Sequence, residues 1–124
     1  MVTTSLVTEP DRATAKLVEY LDDHGFPLDA VFWMLDPESE IWHLYLASSV
    51  VARYGPRRAY QLAREALVNT EVEIPLAQIK VIEPSSPLLR NLRSAITVST
   101  LSWVPFRNNT VNGTFIKDAV LLRV

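Results

Sequence analysis

The stretch Asp29 to Ala47 (D-A-V-F-W-M-L-D-P-E-S-E-I-W-H-L-Y-L-A) constrains this chain more than any other. Two runs rich in β-branched, aromatic and aliphatic residues flank Asp36-Pro37-Glu38-Ser39, a turn-forming tetrapeptide, and together they spell a β-hairpin. A hairpin with one wet face alternates apolar with polar residues. This one does not. Trp33, Trp42 and Tyr45 place large aromatics on both strands, and His43 is the only polar group in mid-strand. Both faces of the sheet must therefore be covered, by helices, by a partner chain or by a ligand.

The register decides which residues share a face. A three-residue loop, Pro37 to Ser39, pairs Asp36 with Glu40. It groups Ala30, Phe32 and Met34 with Trp42, Leu44 and Leu46, and sets Val31, Trp33 and Leu35 beside Ile41, His43 and Tyr45. A shift of one in the pairing exchanges these sets. The first register is expected, because Pro37 suits a three-residue loop better than a tight primed turn. In either register Trp42, Leu44 and Leu46 form a dry row, while His43 and Tyr45 carry the polar handles.

Helical signals surround the hairpin. Thr8, Pro10 and Asp11 mark a helix start. Ala13, Leu17, Tyr20, Leu21 and His24 follow at helical spacing, and Gly25 is a good stop. Asp22 and Asp23 oppose the helix dipole in the last turn, so a nearby arginine is expected to compensate them. Gly55-Pro56 opens a second helix to about Val68, with Ala59, Leu62, Ala63, Ala66 and Leu67 on its inner face. Ile79 to Ile82 reads as a strand. Ser86-Pro87 is an N-cap with a proline behind it, starting a third helix with Leu88, Leu89, Leu92 and Ile96 inward. Residues 98–113 carry no assigned element, although Asn112-Gly113 is a turn dipeptide. Thr114 to Arg123 is β-rich, with a bulge or break expected at Asp118.

The resulting order α-β-β-α-β-α-β predicts an α/β fold. Its mixed sheet has four to five strands and about three helices, with the later helices acting as crossovers between parallel strands. Residues 1–8 read as a flexible tail or edge strand and residues 9–124 as one α/β domain, in keeping with the length of 124 residues and a hydrophobic fraction of 48%.

Composition excludes several function classes. The chain has no cysteine, hence no disulfide, thiolate zinc site or cysteine nucleophile. No apolar run approaches the roughly 18 residues of a membrane span, and the acidic first 30 residues lack a signal pattern. A cytoplasmic protein that does not engage membranes is the expectation. Three glycines leave no phosphate-cradling loop, and no G-x-S-x-G elbow occurs. Gln78-x-Lys80 resembles the Q-x-K end of a restriction-type nuclease motif, but the acids upstream, Asp36 and Glu40, sit in the hairpin turn rather than in a strand. His24 follows Asp22-Asp23, yet consecutive residues at a helix end do not share a face, so a capping role fits better than a metal. No catalytic residue, metal or cofactor is expected.

Charge is unevenly spread. Residues 1–50 carry two cations against nine carboxylates, net −7, whereas residues 51–124 carry ten against five, net +5. Halves that interleave in the fold would neutralise each other. Nucleic-acid binding through Arg53, Arg57, Arg58, Arg64, Arg90 and Arg93 is disfavoured by a pI of about 5.6 and by the lack of a reader motif.

Two readings of function remain. The first is a non-catalytic protein-interaction or self-association module, a homo-oligomer in the simplest case, with Trp33, His43, Tyr45 and Trp103 at the interface. The second is a domain, possibly enzymatic, that binds a small anionic ligand. It would use Arg53, Arg57 and Arg58 at the start of the second helix with Ser48 and Ser86 at the strand ends.

Overall fold

The computed structural model describes residues 12–95, 104–111 and 114–124. In chain order these form α1 (Arg12–Asp23), β1 (Ala30–Leu35), β2 (Trp42–Ala47), α2 (Val50–Tyr54), α3 (Pro56–Thr70), a one-turn 3-10 helix (Leu76–Gln78), β3 (Ile79–Ile82), α4 (Pro87–Ala95), β4 (Val104–Val111) and β5 (Thr114–Arg123). The strands make one mixed sheet in the order β3-β2-β1-β5-β4. β2 and β3 are parallel and the other neighbours antiparallel. The α/β class and the mixed sheet agree with the sequence.

Two elements go beyond the expected order. A short helix, α2, precedes α3 and is separated from it by Gly55, whose φ of 88° and ψ of 160° no helix can contain. β4 occupies much of the stretch without an assigned element. It pairs with β5 on a single register from Val104↔Leu121 to Val111↔Thr114, so the ladder runs through Asp118 without the expected bulge. The irregularity lies instead between Val31 and Phe32, in the β1–β5 pairing. The second crossover also differs from expectation. α3 does link the parallel strands β2 and β3, but α4 leads to β4 at the far edge, antiparallel to β5.

The hairpin adopts the other register. Ala30 faces Ala47, Phe32 faces Tyr45, Trp33 faces Leu44 and Leu35 faces Trp42. The physical reason is a longer loop. The Asp36 N–H donates to Ile41 O at 3.0 Å and the Glu40 N–H donates to Asp36 O at 2.8 Å, with Glu40 in the left-handed region at φ 57°. The Asp36 carboxylate holds the turn by accepting the Glu38 N–H at 2.9 Å. Pro37 is as much at home at the start of this four-residue loop as in a three-residue one. Trp33 therefore joins Trp42, Leu44 and Leu46, and Phe32 and Met34 join His43 and Tyr45.

Helices cover both faces. On one, Leu17, Val18 and Leu21 of α1 and Ala59, Ala63, Ala66 and Leu67 of α3 pack against Val31, Trp33, Trp42, Leu44, Leu46, Val120 and Leu122. Each fully buried leucine contributes roughly 1.5–3 kcal/mol. The alanines of α3 are the small residues that let a helix lie close to its neighbour. On the other face Leu89 and Leu92 of α4 pack against Ala30, Phe32, Ala47, Ala119 and Leu121. This is the three-layer solution that a hairpin apolar on both sides demands.

The helix ends obey the expected chemistry. α1 stops at Gly25 with φ 75°, and the Phe26 N–H returns to Leu21 O at 3.0 Å. Asp22 is compensated as expected: its carboxylate receives two bonds from the Arg123 guanidinium, at 3.0 and 3.2 Å. α3 runs two residues past Val68, with Glu71 in the left-handed region as its cap. Thr8, Pro10, Asp11, Ile96, Trp103, Asn112 and Gly113 lie outside the described residues. Among the described residues the ion pairs Asp22–Arg123 and Glu40–Lys117 each join an acid of the first half to a cation of the second, which is the interleaving that the charge asymmetry suggested.

Candidate functional site

The register sets two rows across the sheet on the α4 face. Tyr45, Phe32, Leu121 and Val104 are successive partners on β2, β1, β5 and β4, and His43, Met34, Ala119 and Phe106 form the next row toward the hairpin loop. The rings of Phe32 and Tyr45 stack across the strands, centroids 4.9 Å apart and 5° from parallel. Leu89 and Leu92 of α4 seat in the same cluster as Phe32, Ala119 and Leu121, which are fully buried. Met34, His43, Tyr45, Val104 and Phe106 are only half-buried. The result is a shelf of aromatic and aliphatic side chains at the loop end of the sheet.

Three polar groups border the shelf. The His43 Nδ1 is buried and has no hydrogen-bond partner. Burial pushes the Tyr45 hydroxyl above its usual pKa. Asp36, at the end of β1, is held below the usual carboxylate range, chiefly by the Glu38 N–H and then by hydrogen bonds from Ser39. Together these residues present a mostly apolar and aromatic surface bordered by a phenol and a carboxylate.

The structure divides the expected interface residues. His43 and Tyr45 lie on the shelf. Trp33 lies on the opposite face, 2% exposed, its indole N–H donating to Thr14 Oγ1 at 3.0 Å beneath α1. Trp103 is outside the described residues. Phe32, Met34 and Phe106 belong to the shelf and were missed. The first two follow from the alternative register, and Phe106 was hidden in a segment whose Pro105 and polar run Arg107-Asn108-Asn109-Thr110 mask a strand.

The expected anion-binding residues are placed less favourably. The Ser48 N–H donates to Ile82 O at 2.9 Å, so the ends of the parallel strands do meet. Ser48 itself is fully buried, its hydroxyl accepting the Val50 N–H at 3.2 Å. Arg53 closes α2, and Arg57 and Arg58 open α3, all three exposed. Arg58 lies 3.5 Å from the Gln61 side-chain oxygen. Ser86 is half-buried at the start of α4, its carbonyl accepting the Arg90 N–H at 3.0 Å. The arginines of α3 and those of α4 flank opposite faces of the sheet. Arg93 is occupied by the Val124 and Asp29 carbonyls, at 2.8 and 3.1 Å. No single basic stripe results.

An open groove of about 430 Å³ runs along the outer side of α3, lined by Arg58, Gln61, Arg64, Glu65, Val68 and Asn69. Val68 is 66% exposed there. The Asn69 side-chain N–H donates to the Tyr20 hydroxyl at 2.7 Å and ties α3 to α1. His24 caps α1 as expected: its Nδ1 is 2.8 Å from Tyr20 O and its ring stacks on Tyr20 at 3.8 Å. Among the described residues no three of His, Asp and Glu converge as metal ligands, and no helix is long and apolar enough to cross a membrane. No protein-family model, curated protein or solved structure matches the chain.

Proposed function

We propose that this chain works by contact, as a self-associating module whose shelf of Met34, His43, Tyr45 and Phe106 meets a second copy. One observation carries the reading: the α4 face is buried around Phe32 and Leu121 but only half-buried around these four residues. Half-exposed aromatic and thioether side chains suit the core of an interface better than open water. The state of the β3 edge points the same way. The Val81 N–H is taken by Tyr60 and the Ile79 N–H by the Leu76 carbonyl, so strand addition there has few donors to use.

Analytical ultracentrifugation across the micromolar range tests the reading. A concentration-dependent dimer is expected, with Met34→Gln/Tyr45→Gln shifting it to monomer while far-UV circular dichroism shows the fold retained. A strict monomer at every concentration would sink self-association. A dimer indifferent to both substitutions would move the contact off the shelf.

A further inference from the structure

We draw no further inference here: the strongest candidate, the half-exposed sheet face at the hairpin end where the buried Nδ1 of His43 finds no partner, belongs to the site already described, and nothing in the structure shows what covers it.

Discussion

The Tyr60 hydroxyl, on α3, accepts the backbone N–H of Val81, on edge strand β3, at 3.1 Å. A helix side chain thus takes a position that a neighbouring strand would otherwise fill. Val81 is largely buried, so removing the acceptor strands its donor. Tyr60→Phe is expected to destabilise the fold by about 1–2 kcal/mol, with the upper end reached only if water cannot replace the hydroxyl. Urea unfolding measures the loss. Light scattering near the midpoint should also show more aggregation than in the parent, because a free edge donor invites intermolecular pairing.

Trp33 and Thr14 tie β1 to α1 through a buried side-chain hydrogen bond. Thr14→Val keeps the shape and removes the acceptor, leaving the indole N–H unpaired in the core. The expected cost is about 1–3 kcal/mol. A double-mutant cycle with Trp33→Phe separates this bond from packing. The double variant should be less destabilised than the sum of the singles, since it leaves no orphaned donor. Strict additivity would show that the bond carries no energy.

Gly55 stands between α2 and α3 at φ 88° and ψ 160°, a backbone region open to glycine and costly for other residues. An added Cβ would meet no atom within 4 Å, so a substitution there tests conformation without steric clash. Gly55→Ala is expected to cost about 1–3 kcal/mol. Thermal unfolding of that variant beside Gly55→Asn would check it. If alanine were tolerated without loss, α2 and α3 would have to join differently.

Two groups set opposite pH limits. Asp36 has a lowered pKa in the fold, mainly from the Glu38 N–H. Its contribution is therefore present above the unfolded carboxylate value of about 4 and is lost as pH falls through the folded value. Asp36→Asn retains an acceptor oxygen for the turn, so it should leave neutral stability little changed and flatten the acid limb. Tyr45 has a raised pKa, mainly from burial. Its contribution is present below about pH 10 and is lost as pH rises through the folded value, and Tyr45→Phe should flatten the alkaline limb. Denaturant unfolding at stepped pH reads both. An unchanged acid limb in Asp36→Asn would assign the acid sensitivity to other carboxylates.

Much of the fold was legible because its signals are local. The glycine at position 25, the proline at 56, the alanine spacing of α3 and the Ser86-Pro87 start of α4 act within one or two helical turns, and each element stands where they place it. β4 was not legible, because Pro105 and the polar run after it satisfy an edge strand only once β5 lies beside it. The site suffered from the same limit. Trp33 looked like an interface residue and lies in the core, whereas Met34 looked like core and lies on the shelf.

The sequence by itself determined that the hairpin must be covered on both faces, since no water-facing row exists along Asp29 to Ala47. It also determined that Trp42, Leu44 and Leu46 are core, because that row is apolar in either register. Only the tertiary structure decided which residues accompany His43 and Tyr45. Registers one residue apart use the same strands and nearly the same turn residues. What separates them is the packing of every other side chain against helices distant in sequence, here Trp33 against Thr14 of α1 and Phe32 against the cluster that α4 seals.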